Sequence, residues 1–509
     1  MSITFETIPT TQRNPLFFVE VGDPKGTGSA VKTTAIIGQR ITGKGTGTND
    51  VPAQVFSADD VAALCGVGSV AHRLAYHYFK ADRSALKVIC VPVADAGGSA
   101  KAAKTLTFSF SSGAALTTSG TINFLVAGHK VRVNVTAGMD LTAIGGAVEA
   151  AFGTDEAAAA AIGSMVPVTC TNTAGACAFT ARNAGPLGND IRIMINYLGT
   201  PGGEVMPGNL VCDDYDAYLT GGSGVPDLTA ALLALGPYSI FGLIDPLYSA
   251  DELLEKKVEF ADRWAYDVAS FGGHFTGVCK ETLGDLVGSA KIDDDLKNDW
   301  HGVVAAAPRV PWDGVSLAGA YAGACLASLR IDPALPVQGV PLSSLYPVRE
   351  SDRLTNSELE TLTAAGFATL TYDSTGTPVV SLERTTMLTN TLGAPITGGE
   401  AVQYPYTTQY IIESMRTYCQ TAYARVKLVD DGSRVAEGVA AVTPLEVKGD
   451  LGTLADEWEA AALIESAAQF KAGLIVKRNS TNRNRLDIYA GPDLANQLRV
   501  IAVRVVPVI

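Results

Sequence analysis

Ser239-Ile-Phe-Gly-Leu-Ile244 is a short apolar run without alternation, and Ser249-Ala-Asp-Glu252, five residues on, is a serine followed by acids. The first reads as a buried strand and the second as a helix start. The helix that follows places Leu254, Val258, Ala261, Ala265 and Val268 along one face, which predicts the side turned to the core. Phe275 to Cys279 and His301 to Ala307 are two more strands, and Ser316 to Ser328 is another helix. Strands alternating with helices in this way imply a parallel or mixed sheet with helices on its faces.

The same alternation appears earlier. Thr33 to Ile37 is a strand, Ser57 to Leu64 opens on a Ser-x-x-Asp helix start, Val70 to Lys80 is a second helix, and Leu86 to Val93 is a buried strand. Between Gly97-Gly-Ser99 and Gly221-Gly-Ser-Gly224 the chain changes in kind. Thr105 to Phe110, Thr121 to Ala127, Lys130 to Val135, Cys177 to Arg182 and Asp190 to Asn196 read as short strands, and Thr142 to Phe152 as a helix, which together make a small inserted α+β domain. From Gln403 a helix carries Ile411, Met415, Tyr418, Ala422 and Val426 as its stripe, and a second starts at Thr453-Leu-Ala-Asp456 with Leu454, Trp458, Ala461, Ile464 and Ala468 on one side. Strands from Leu474 and Arg485 follow, and no internal repeat is visible.

Both ends are unusually apolar. Arg499-Val-Ile-Ala-Val-Arg-Val-Val-Pro-Val-Ile509 reads as a strand running to the last residue, and Pro15-Leu-Phe-Phe-Val-Glu-Val21 as another near the first. Termini are ordinarily polar and frayed, so such ends need a partner, either an internal sheet edge or a neighbouring copy that accepts a strand. Two sticky ends point to a polymer.

A chain of 509 residues, 47% apolar and only 18% charged, holds two to four domains and little disorder. The net charge of −14 opposes nucleic acid and anionic membranes as partners. Charge is uneven: residues 471–509 carry seven Lys and Arg against two Asp, which fits either a basic end docking on acidic neighbours or a solvated face. The eight cysteines lack the spacing of a metal framework and fit a reduced protein, although Cys170 and Cys177 could bridge a hairpin. Leu228 to Ile244 is broken by Gly236-Pro237 before it could span a bilayer.

Several passages imitate active sites. Gly38-Gln-Arg-Ile-Thr-Gly43-Lys44-Gly45 approaches a phosphate loop but has no hydroxyl after the lysine, and Thr46 to Pro52 cannot form the helix that would hold phosphates. Asp245, His274 and Ser316 follow the order of subtilisin-type hydrolases, yet Gly314-Val-Ser316-Leu-Ala-Gly319 misses the nucleophile elbow by one residue. His72 and His77 sit five apart on a helix and point to different faces, so they share no metal and read as core-edge or surface residues. Asp293-Asp-Asp295 is expected to be a solvated loop. The expectation is no catalytic residue, cofactor or metal.

Taken in order, a set of passages resembles the contractile tail sheath proteins of myophages and Mu-like prophages. They are Cys65-Gly-Val-Gly-Ser69 with the helix after it and Val88 to Val93, then Ala184-Gly-Pro-Leu-Gly-Asn-Asp-Ile191. Leu342 to Arg384 follows with Asp352-Arg-Leu354, Glu358, Gly366-Phe-Ala-Thr369 and Glu383-Arg384, and the series closes with Asp430-Asp-Gly432, Val442-Thr-Pro444 and Asn482-Arg-Asn-Arg-Leu486. The resemblance implies a multidomain α+β and α/β fold, with a mixed-sheet core built from both chain ends, an α/β middle domain, the small inserted α+β domain facing outward, and extended strand arms. The corresponding segments are 1–25 for the N-terminal arm, 26–96 for the first part of the α/β core, 97–224 for the insert, 225–400 for the middle domain, 401–498 for a tube-proximal domain and 499–509 for the C-terminal arm.

The resemblance further implies a subunit that polymerises helically around an inner tail tube and contracts without nucleotide hydrolysis to drive that tube through the host envelope. Its partners would be itself, the tube protein, and baseplate and tail terminator proteins, with no nucleic acid and no direct membrane contact. It would reside in the virion tail after assembly in the host cytoplasm. The arms carried over are Phe17, Phe18, Val19 and Val21 at one end and Val500, Ile501, Val503, Val505 and Val506 at the other. Asp456, Glu457, Glu459 and Glu465, or Arg478, Arg483 and Arg485, are the tube-facing candidates. A static capsid-like shell protein is the competing reading, and a subtilisin-like hydrolase a further one.

Overall fold

A computed structural model describes residues 32–161, 165–280, 282–288, 296–396 and 398–506. The N-terminal segment with Phe17, Phe18, Val19 and Val21, and the triplet Asp293 to Asp295, lie outside the described residues.

The body begins with strands β1 (Thr33–Gln39) and β2 (Ala53–Val55), helices α1 (Ala58–Cys65) and α2 (Val70–Ala81), and strand β3 (Lys87–Val93). Helix α1 is started by a capping box in which the Ser57 hydroxyl and the Asp60 carboxylate each satisfy an otherwise orphaned backbone N–H. The chain then leaves the body and builds β4 (Ala103–Phe110), β5 (Gly120–Val126), β6 (His129–Val135), α3 (Leu141–Phe152), α4 (Glu156–Ala161), β7 (Val168–Thr173), β8 (Ala176–Ala181), β9 (Arg192–Ile195), β10 (Leu210–Cys212) and β11 (Asp216–Tyr218). These form two four-stranded sheets, β10-β4-β8-β7 and β11-β9-β5-β6. Their shared core holds Phe108, Phe124, Phe152 and Phe179, whose neighbouring rings meet at 5.1 to 6.4 Å. Cys170 and Cys177 lie on β7 and β8 as free thiols.

Back in the body come α5 (Thr229–Leu235), β12 (Ile240–Ile244), α6 (Ala250–Arg263), β13 (Gly273–Lys280), α7 (Leu283–Val287), β14 (Gly302–Pro308), α8 (Gly314–Ile331), α9 (Asn356–Ala364), β15 (Thr369–Tyr372) and β16 (Pro378–Leu382). The main sheet runs β14-β13-β12-β1-β3-β2, all parallel except the β2–β3 pair. It takes strands from residues 33–93 and 240–308 and none from the C-terminal hundred, so it is not a core built from both ends.

Helices α2 and α8 pack on one face. Gly277 of β13 faces α8 so closely that a Cβ would lie 2.4 Å from the Ala318 nitrogen. The next-door Thr276 therefore points to the opposite face, where its hydroxyl accepts a hydrogen bond from Lys256 of α6 at 3.1 Å. By length and composition α8 could cross a membrane, but here it is a core helix, mostly buried between α2 and the sheet. Its N-cap Asp313 binds the buried Arg73 of α2 at 2.5 Å, which ties the two helices together.

Several sequence expectations are corrected. The stripe read from sequence faces outward: Leu254 and Val258 of α6, and Val268 beyond its end, are exposed, while the helix buries Leu253 and Phe260 together with Glu252, Lys256 and Arg263. His72 and His77 are both buried rather than at the surface, because α2 is covered by α8 on one side and by the inserted sheets on another. The insert is not hung on free Gly hinges. The Asn183 amide donates to Arg40 O and Asp95, and Asp190 binds both Lys280 and the Tyr248 hydroxyl.

The remaining chain forms α10 (Gln403–Ala422), β17 (Lys427–Leu428), β18 (Ala441–Val442), α11 (Pro444–Ala460), α12 (Ala467–Gly473), β19 (Ile475–Arg478) and β20 (Leu486–Tyr489). The helix read from Thr453 starts at Pro444 instead, set by the Thr443 and Glu446 capping box. It stops at Ala460, so Asp456 to Phe470 is two helices and a turn.

Candidate assembly interface

The C-terminal unit is held together by a core of its own. Helix α11 turns Val447, Leu451, Leu454 and Trp458 inward, onto Ile411 of α10, Phe470 of α12 and Leu474. Trp458 meets the Phe470 ring edge-on at 5.6 Å and donates its indole N–H to the Ser414 hydroxyl at 3.1 Å. Strands β19 and β20 pair antiparallel from Ile475↔Tyr489 to Arg478↔Leu486, and each has no other strand partner among the described residues. Such a two-stranded ribbon is marginal alone and presents two open edges, which are templates for further strands.

Past β20 the chain crosses the C-terminal core and reaches α10. Leu494 bridges Ile464, and the Tyr404 hydroxyl donates to Asn496 at 2.9 Å. Arg499 then lies 2.7 Å from Glu383, a carboxylate with no exposed area, and donates to the Gln403 side-chain oxygen at 3.2 Å. The same Glu383 oxygen accepts from Val337 N at 2.9 Å and from the Gln403 amide at 2.6 Å. Arg499 is the sole cation in this set, so the last fixed residue of the chain neutralises a buried acid.

From Val500 onward the chain is exposed. Val500, Ile501, Val503, Val505 and Val506 are 65 to 80% exposed and pair with no strand among the described residues. Read from sequence as a strand, the segment is extended chain here because a strand needs a neighbour to supply its ladder.

The charged candidates are largely matched internally. Asp430 takes both Arg478 and Arg483, Arg485 lies 2.6 Å from Asp487, and Lys471 pairs with Asp456. Glu459 accepts from Ala467 N at 3.1 Å and Glu465 from Asn496 at 2.8 Å, whereas Glu457 is exposed. Glu383, the counter-ion of the arm's root, was quoted from the sequence only as part of a passage. Its signal there was an acid between the apolar stretches of β16 and α10.

The sites imitated in the sequence do not assemble. Asp245 neighbours Lys256 at 3.8 Å, His274 binds Asp299 at 2.8 Å, and Ser316 donates to Asp313 at 2.7 Å, so the three belong to separate sets. Burial lowers the imidazolium affinity of His274 for its proton, while the His274 and His301 bonds hold the Asp299 carboxyl far below its usual range against the effect of burial. The Gly-rich loop after β1 is closed on itself by the Arg40 guanidinium, which donates to Lys44 O at 2.8 Å and to Gly47 O, and it leads into β2 rather than a helix. No group of three or more metal-ligating side chains occurs among the described residues.

Residues 400–506 match the phage tail sheath C-terminal domain family. The Mu-like prophage FluMu tail sheath protein of Haemophilus influenzae is 28% identical over 505 residues, covering 99% of either chain. Among solved structures, the sheath tail protein of Desulfitobacterium hafniense aligns over 97% of this chain and 96% of its own at a TM-score of 0.46 and 12% identity. The helical sheath of the anti-feeding prophage in its contracted state aligns over 97% and 99% at 0.47 and 12%. The chain is thus similar along its length to a tail sheath protein, and its residues 400–506 match the phage tail sheath C-terminal domain family.

Proposed function

We propose that this chain is the repeating subunit of a contractile tail sheath, a structural protein that polymerises around an inner tube and shortens to drive that tube through an envelope. The observation that carries the reading is end-to-end similarity to a tail sheath protein in a chain whose apolar C-terminus projects, unpaired, from a charged root at Arg499 and Glu383. A neighbouring copy that offers the open edges of β19 and β20 would complete a sheet with the segment Val500 to Val506, and the N-terminal residues Phe17 to Val21 would act likewise.

In this reading the residues from 97 to 224 face the outside of the polymer, and 401–498 lie nearest the tube, with Glu457 among the exposed charges there. Partners are further copies, a tube protein, and baseplate and terminator proteins, and the assembly belongs to a virion tail built in the host cytoplasm. No chemical step drives it. Work comes from subunits moving as rigid bodies between two packings.

The test is assembly of the purified chain without nucleotide. Hollow tubes visible by electron microscopy are expected, with Lys44→Ala assembling as wild type. ATP-dependent assembly, closed shells, or a chain that stays monomeric at high concentration would overturn the reading.

A further inference from the structure

The parallel strands of the main sheet all end against one segment of the insert. Read across the sheet as β3-β1-β12-β13-β14, they carry Asp95, Gln39, Tyr248, Lys280 and Arg309 at or shortly past their C-terminal ends. Residues 183–192 meet these in the same order. The Asn183 amide donates to Asp95 at 3.1 Å, and Ala184 O accepts from the Gln39 amide at 2.7 Å. Asp190 accepts from the Tyr248 hydroxyl at 2.8 Å and from Lys280 at 2.7 Å, and Arg192 donates to Arg309 O at 2.8 Å. Helix α2 is engaged as well, because the N–H of its first residue, Val70, donates to the Asn183 side-chain oxygen at 3.2 Å.

Leu187 stands in the middle of this crossing. It is buried, and among the described residues it is the one member of 97–224 that joins the apolar core of the body, beside Leu228 and Leu247. Its place is the switch point of the sheet. The chain leaves β1 toward α2 on one face and β12 toward α6 on the other, and open α/β sheets take their ligands in the crevice such a divergence leaves. The glycine-rich loop after β1 lies at the same edge, and its Arg40 O accepts from Asn183 at 2.9 Å. The cavities of about 20 and 10 Å³ beside Leu187 have room for a water or so each and for no ligand.

We propose that residues 183–192 are a strap: an internal occupant of the crevice, carried by the insert, that fills the ligand position of the α/β layer and fastens the insert across the C-terminal ends of all five parallel strands, so that insert and sheet move as one body. The strap also closes its own stems. Gly185 N donates to Ala100 O at 3.0 Å, and the Asn189 side chain both donates to and accepts from the backbone of Gly222. Glycine is needed at 185, where φ is +123° and a Cβ would lie 3.1 Å from Gly224 O. The borders of the insert are thereby tied at the points where they would otherwise bend. The passage 184–191 has this role within a single chain, so the inference stands apart from the sheath reading; in a sheath it means that load on the insert reaches the sheet instead of being absorbed at a hinge.

The test uses the full chain. Thr142 of the insert and Arg83 of the body are exposed, and seven of the eight cysteines are buried, so spin labels on Thr142→Cys and Arg83→Cys in a Cys419→Ser background report the distance between the two units. Electron–electron double resonance should give one narrow distribution, broadened at least about twofold when Leu187→Asp and Asp190→Ala together undo the strap. A broad distribution before those changes, or a narrow one after them, overturns the proposal. Hydrogen exchange covers the case in which the double variant loosens the whole fold. In Leu187→Ala alone, amides of 183–192 should exchange at least about tenfold faster, while those of β5, β6, β7 and β8 stay within about twofold of the unaltered chain. Exchange that rises equally in those strands, or does not rise in the strap, also overturns it.

Discussion

The root of the C-terminal arm can be separated from the arm itself. Consider a chain ending at Val500, and the same chain carrying Arg499→Ala. Among the residues the first loses, Ile501, Val503, Val505 and Val506 are 65% or more exposed and pair with no strand among the described residues, and surface changes of that kind alter stability by about 0.5 kcal/mol or less. The second leaves Glu383 fully buried with its two neutral donors, Val337 N and the Gln403 amide, but with no cation. Removing one partner of a buried ion pair costs about 3 to 5 kcal/mol. Arg499 keeps about a fifth of its side chain in water, so part of that interaction is screened and about 2 to 4 kcal/mol is the expected loss.

Denaturant titration followed by Trp458 fluorescence reports the C-terminal core, and analytical ultracentrifugation reports assembly. The chain ending at Val500 should unfold like the full chain and stay monomeric. Adding Arg499→Ala should shift the midpoint, and Glu383→Gln should recover most of the loss, since the amide no longer needs a countercharge. If the chain ending at Val500 already unfolds, the terminal segment completes its own subunit's core. If Arg499→Ala costs under about 0.5 kcal/mol, the pair does not hold the root and the reasoning fails.

Lys256→Ala should destabilise the body by about 3 kcal/mol, because Asp245, itself buried, would lose its cation, whereas Lys256→Met with Asp245→Asn should cost about 1 kcal/mol or less. Urea unfolding of the four corners of that cycle checks it, and equal costs for both variants would contradict it. Acid should weaken the fold between pH 6.5 and 4. Burial first, with Arg73 adding to it, pushes His72 and His129 down to about 4, so the unfolded chain binds more protons in that window and stability falls as pH drops. Glu413, raised by burial to about 7, works the other way, its contribution present below about 4.5 and lost as pH rises through 7. The melting temperature should still fall from pH 6.5 to 4, less steeply in His72→Gln, which retains an acceptor for the Gly68 N–H; a flat profile would refute this.

The α/β layer was legible because its strands are continuous apolar runs and its helices start with caps, signals that are local and repeated, as at Ser57 and in Ile240 to Ile244. Short strands such as Leu210–Cys212 and Asp216–Tyr218 left no trace, since three residues carry neither a period nor a turn signature. The start of α11 was missed because Pro444 reads as a breaker when it stands in fact at the first helical position, where its missing N–H costs nothing. The Gly-rich borders of the insert read as hinges. Whether such a border bends depends on what the two sides share, and here Asn183, Asp190 and Arg192 fasten the inserted sheets to the body.

The inversion of α6 shows where sequence reading stops in principle. A period of 3.6 residues identifies an apolar side of a helix without saying what that side meets, and an apolar side turned to a neighbouring copy has the same pattern as one turned to the core. Periodicity is ambiguous here because α6 is apolar on two sides: Leu253 and Phe260 are buried beside Glu252, Lys256 and Arg263, with Lys256 near the buried Asp245, while Leu254 and Val258 are exposed. The terminal segment follows the same logic. Val500 to Val506 is largely apolar on both of its alternating faces, a pattern that belongs in the middle of a sheet, and no strand lies beside it among the described residues. A segment of that pattern needs a partner strand to supply its ladder, and the chain ending at Val500 tests whether the partner belongs to another copy.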